Sequence, residues 1–290
     1  MTAVFRKEFK SSMNGMTGPI FIFAVLIIMG FFVRAYQFGQ YATTHFEYSV
    51  VDGAFWALLL TPILTMRSFT EEIKTRTDQL LYSLPITTTQ IVMGKFFALA
   101  AVLAIPCVIM CAYPVIVYAY ASNGINFAVS YGVILAFFLL GCAVIALSMF
   151  VSSLFESQVI CVIVNMALII AMYFLYSVTG MLPDSAAFTL ALLVILSLVV
   201  TYIVYTSTKN YIATAVCAVL LIGACVTVYF VDSSLYTGLG ATMIESLFIF
   251  RPIITFTTGV FDITCLVYYF SVAALFVFIT VQSFERRRWN

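Results

Sequence analysis

The chain has 290 residues, of which 64% are hydrophobic and 9% charged, with a net charge of +1 and a mean hydropathy of +1.13. Soluble domains carry about a quarter charged residues, which excludes an ordinary water-soluble fold. Several apolar runs reach the ~20 residues that cross a ~30 Å hydrocarbon core as helix, and the ~10-residue alternation of a membrane barrel is not the pattern here. The expected class is an all-α polytopic integral membrane protein, a single transmembrane domain over 1–290.

Residues 1–16 open the chain. Val4, Phe5, Phe9 and Met13 share one face of a short helix, with Arg6, Lys7, Glu8 and Lys10 elsewhere. Such a helix lies in the membrane interface; a solvated basic tail fits the same residues. No cleavable signal peptide is expected, because the run beginning near Ile20 is too long for a signal core and lacks a small-residue cleavage site.

Eight spans are predicted, roughly at 17–37, 51–69, 91–121, 128–152, 157–179, 187–206, 211–231 and 261–283. Pro106 and Pro114 in the third are the features best suited to let a helix bend, with a static kink as the alternative. Asn165 in the fifth is the deepest amide and is expected to hydrogen-bond between helices. Segment 232–260, with Gly238, Gly240, Arg251 and Pro252, reads as extracytoplasmic, either re-entrant or an irregular loop. Arg286, Arg287 and Arg288 stop the last span, and Trp289 follows at headgroup depth.

Lysine and arginine set the orientation. Eleven of the thirteen fall on one side of this arrangement, leaving Arg34 and Arg251 opposite, while the twelve acids divide evenly. Both termini are therefore expected in the cytoplasm. The seven cysteines all sit in apolar runs without a C-x-x-C pair, and His45 is the lone histidine, so there is no case for a metal site.

Between Met66 and Lys95 lies the one long polar stretch, holding Arg67, Glu71, Glu72, Lys74, Arg76, Asp78 and Lys95. Phe69, Ile73, Leu80, Leu81 and Leu84 recur near the helical turn. Glu72 with Arg76 and Lys74 with Asp78 are i, i+4 pairs of opposite charge. Pro85 ends the helix, and Thr87 with Gln90 has capping-box spacing. Segment 67–90 thus reads as a short amphipathic helix between spans two and three, on the cytoplasmic side. On periodicity alone, a solvated loop is equally compatible.

The run from Arg67, Ser68, Phe69, Glu71 and Glu72 through Thr77, Leu80, Leu81 and Pro85 to Gly94, Lys95 and Phe96 resembles the signature of bacterial ABC-type permeases of the second export class. It is most similar to the gliding-motility-type branch. Residues 141–160, with Ser152, Ser153, Leu154 and Gln158, and residues 259–289 resemble other parts of that family. The resemblance covers about 1–180 and 245–290; the region 187–231 departs from it, since the family core has six spans.

The resemblance implies that the helix between spans two and three is a coupling surface for a separate ABC ATPase subunit. Glu71, Glu72, Arg76 and Thr77 would face that ATPase, Leu80, Leu81 and Pro85 would anchor the helix, and Arg67 would hold its base. It also implies a second permease chain, as homo- or heterodimer, and a place among the lipids of the bacterial cytoplasmic membrane. No cofactor is expected in this chain, because ATP–Mg would be bound by the partner; no nucleic acid is implied. The sequence has no G-x-x-x-x-G-K-[ST] phosphate loop, so the chain is not read as an enzyme. Two rivals stand beside this reading. A stand-alone secondary transporter would show inverted repeats, and a membrane-embedded enzyme would need a catalytic cluster at one face.

Overall fold

The computed structural model describes residues 1–38, 45–75, 87–120, 126–179, 183, 185–208, 218–223, 225, 227, 229–230, 236–246, 248–258 and 262–289. Among them every regular element is a helix. A chain in hydrocarbon has no water to bond its backbone and satisfies those groups within each helix. The protein is an all-α polytopic membrane protein.

The contacts divide it into two units, Met1–Tyr173 with Ile249–Asn290, and Phe174–Phe248. The first contains α1 (Thr2–Asn14), α2 (Thr17–Gln37), α3 (Phe46–Leu58), α4 (Thr61–Thr65), α5 (Arg67–Thr75), α6 (Thr88–Met110), α7 (Tyr113–Tyr120) and α8 (Phe127–Leu154). α9 (Gln158–Thr179) runs across the division.

Four helices are long and apolar enough to cross a membrane, or up to six when two broken helix pairs each count as one span. The eight predicted spans therefore exceed what length and composition show among the described residues. Much of 211–231 lies outside them. The second span differs in form: it starts at Phe46, and Phe46–Leu58 meets Thr61–Thr75 at 44°. Pro62 explains the break, since it lacks the N–H that would bond the Leu58 carbonyl. The Thr61 hydroxyl takes that place, donating to Leu58 O at 2.7 Å. Beyond it α5 runs on from α4 across Met66, so the 67–90 segment begins in direct continuation of the second span.

α6 starts where Thr87 predicts, with the Thr87 hydroxyl accepting from Gln90 N at 3.3 Å. It passes Pro106 unbroken and stops at Met110. The break falls one turn before Pro114, which has no N–H for the Met110 carbonyl. Asn165 departs from expectation: it is fully buried, yet neither amide atom has a hydrogen-bond partner among the described residues.

α8 is the pillar of the first unit. Of its most apolar window 78% is buried, against 28% for α2, and α3, α4, α5, α6 and the closing helix Ile263–Trp289 pack on it. In the same unit α12 (Arg251–Ile254) and a 3₁₀ turn (Thr255–Thr258) precede α13 (Ile263–Trp289). Gly141 lets α6 close on α8: a Cβ there would lie 2.3 Å from Leu103 Cδ2. Small residues allow such approaches between membrane helices.

The second unit holds α10 (Ala186–Thr208) and α11 (Leu239–Ser246). Its tie is Thr189, whose hydroxyl donates to Tyr236 O at 2.7 Å and accepts from Gly240 N at 2.9 Å. Both backbone groups are satisfied by one buried side chain.

Gly141→Leu should cost about 1–3 kcal/mol of stability through overpacking. Gly141→Ala should cost much less, because the Leu103 methyl can swing aside. Thermal unfolding of the detergent-solubilised protein checks this; a Leu variant as stable as the native chain would contradict the close contact.

Candidate functional site

The polar stretch becomes a corner built from α1, α5 and α6. On α5, Ser68, Phe69, Thr70 and Ile73 are buried, while Arg67, Glu71, Lys74 and Thr75 are exposed. Residues spaced three and four apart share a helix face, so the outer stripe at 67, 71 and 74 is wholly polar. The inner stripe is anchored. Phe69 packs on Phe284 of α13 with centroids 4.6 Å apart, and its backbone N–H donates to Ser152 Oγ of α8 at 3.3 Å.

Lys95 closes the corner from α6. Its side chain is 2% exposed, and Nζ donates to Glu72 Oε1 at 2.8 Å, Glu8 Oε1 at 3.1 Å and Ser68 O at 2.6 Å. An ammonium has three donors, and all three are used. The ring of Phe69 lies 5.1 Å away, within cation–π range. One charge thus binds three helices.

α1 reaches this point because its apolar face packs inward, with Phe9 and Met13 against the core. Gly94 makes room, since a Cβ there would meet Val4 Cβ at 3.0 Å. The expected amphipathic helix at 1–16 therefore forms, and within this chain its apolar face has a protein partner. Between α1, α5 and α6 lies a cleft of about 450 Å³, with Lys7, Arg67, Glu71 and Lys95 in its lining. A second, about 380 Å³, adjoins Lys74 and the Glu156–Val159 corner.

The structure thus brings together Arg67, Glu71 and Glu72 on one short helix. Arg76, Thr77, Leu80, Leu81 and Pro85 lie outside the described residues. Glu72, expected to face a partner, has a side chain 13% exposed and turned onto Lys95. The physical reason is the buried ammonium, which draws the nearest carboxylates inward. Arg67 is exposed and lines the cleft. Sequence reasoning missed Glu8 as a member of the corner, and took Lys95 as a motif position without partners. A lysine within the first turns of an apolar span was the signal.

A family profile described as ABC-2 family transporter protein matches residues 2–213. The chain belongs to the ABC-2 transporter family. It is accordingly a multi-pass membrane permease, the membrane component of a transporter. The match runs through α10, where resemblance was expected to fail, and it does not extend over the closing span. Among curated proteins none matches the chain.

Burial raises the Glu72 carboxyl above its ordinary value of 4.5, against the pull of Lys95. A raised carboxyl favours the neutral form in the folded chain. Its contribution to stability is then fully present below pH 4.5 and is lost as pH rises through the folded value. Glu72→Gln does not titrate, so the native chain should lose stability relative to the variant as pH rises from 4.5 into the neutral range. Thermal unfolding across that range decides; a native chain that gains on the variant would show that attraction to Lys95 outweighs burial.

Proposed function

We propose that this ABC-2 permease is the transmembrane subunit of an ATP-driven exporter of the gliding-motility-type branch, with α5 as the surface on which a separate ATPase subunit docks. ATP–Mg would be held by that ATPase. Two permease chains would form the pathway between them in the bacterial cytoplasmic membrane, with both termini and the 67–90 segment on the cytoplasmic side.

The carrying observation is the division of α5 into two faces. Its inner face is fixed to α6, α8 and α13, whereas Arg67, Glu71 and Lys74 stand exposed on the other. A charged stripe on a rigidly held helix suits recognition of a soluble partner by charge complementarity. Because its inner face is fixed, a push on that stripe moves the packed helices with it. The excess of lysine and arginine on the same side supports the orientation. Residues 76–86 would continue the surface in sequence.

Alternating access follows from this arrangement. Closure of two ATPases on bound nucleotide would press two α5 helices, and the pressed helices would shift the spans that line the pathway.

The test is co-purification of a soluble ATPase with the tagged, full-length chain. Reversing the exposed charges, Glu71→Lys with Lys74→Glu, should lower recovery at least tenfold, equivalent to about 1.4 kcal/mol. Glu72→Gln, changed on the inward side, should leave recovery close to native. Undiminished recovery after the double reversal would overturn the assignment of α5.

A further inference from the structure

We propose that Lys95 is a positioning residue of the transport cycle: it clasps the N-terminal helix α1 and the membrane helix α6 to α5, so that these three move as one body. The inference rests on the docking reading of α5 for its role in transport, though the clasp itself stands on geometry.

The clasp is specific in three ways. First, Lys95 spends each of its three donors on a different anchor. One goes to the Ser68 carbonyl in the backbone of α5, one to the Glu72 carboxylate, and one to the Glu8 carboxylate on α1. Second, the ammonium is buried. With the Lys95 side chain 2% exposed, separating α1 from α5 would strand carboxylates or the ammonium without their partners. Third, the neighbouring residue supports the same contact, because Val4 of α1 sits where a side chain on Gly94 would be.

The consequence is mechanical. α5 is short and ends in exposed residues, Lys74 and Thr75, and a push on its outer stripe could tilt it alone. Lys95 prevents that by linking α5 to the first turns of α6 and to α1. Since α1 connects to α2 through Gly15 and Met16, the push reaches the first span as well as the third. Met16 holds a left-handed backbone, φ 59°, at that elbow, which sets the direction in which α1 leaves α2. The N-terminal helix is thereby a working part of the lever and not only a membrane anchor.

The experiment uses the full-length chain in lipid nanodiscs and limited trypsin digestion. Arg6, Lys7 and Lys10 are exposed on α1 and report its release. Lys95→Met should speed cleavage at these sites about tenfold, as expected when an opening equilibrium shifts by roughly 1.4 kcal/mol. Lys95→Arg, which keeps the charge, should remain near the native rate. The swap Lys95→Glu with Glu72→Lys returns a cation between two carboxylates and should restore protection. Unchanged cleavage in Lys95→Met would overturn the clasp; so would a swap that fails to restore protection, because general loss of folding is not repaired by exchanging charges. In the complex with its co-purified ATPase, Lys95→Met should keep association within about twofold yet lose substrate transport. Loss of association equal to that of the α5 surface reversal would overturn the positioning role. If the native chain recovers no ATPase while the swap restores protection, the docking reading fails and the clasp survives.

Discussion

A single ammonium buried inside a membrane-protein corner governs how the rest of the site is arranged. Taking a lysine out of water costs several kcal/mol unless carboxylates and hydrogen-bond acceptors meet it where it stands. Lys95 meets that demand with Glu72, Glu8 and the Ser68 carbonyl, each from a segment distant in sequence. The N-terminal helix is therefore drawn off the open interface and onto α6. Glu72, which the charge pattern alone would leave in solvent, is drawn inward. What remains outside on α5 is Arg67, Glu71, Lys74 and Thr75, the surface proposed for a partner.

The apolar frame makes this corner useful. α8 is the most buried of the candidate spans and carries α3, α4, α5, α6 and α13 around it. Phe69 against Phe284, together with Ser152 beneath the Phe69 amide, fixes the inner face of α5 to that frame. Because α5 follows directly from α4, the proposed docking surface and the second half of the second span form one stretch of helix. The break at Pro62 separates this stretch from α3, giving the span two segments at an angle.

Much of this was legible in the sequence. Apolar run lengths gave the helical membrane class, and the first and fourth spans begin and end close to the predicted residues. The cap at Thr87 was readable because a hydroxyl three residues before Gln90 has one obvious use. The face of α1 followed from Val4, Phe5, Phe9 and Met13. Other features depended on tertiary contacts. The helix break at Leu58 needed Pro62 to be weighed against a continuous apolar run. The inward turn of Glu72 needed knowledge that Lys95 lies across from it, and an i, i+4 pairing with Arg76 looked the simpler option. Ser152 stood out within a family-like motif, but nothing in the sequence says that its hydroxyl supports the amide of Phe69. Asn165 shows the converse: a deep amide invites a hydrogen bond, and the described residues supply none.

The central claim is that the outward stripe of α5 touches an ATPase in the cell. The most direct measurement places a photo-crosslinking amino acid at Glu71, and separately at Glu72, in the native host and identifies what is captured. The account predicts a soluble protein carrying a G-x-x-x-x-G-K-[ST] phosphate loop at position 71, and no such capture at the inward position 72. Capture at both positions equally, or capture at 71 of proteins lacking that loop, would contradict it.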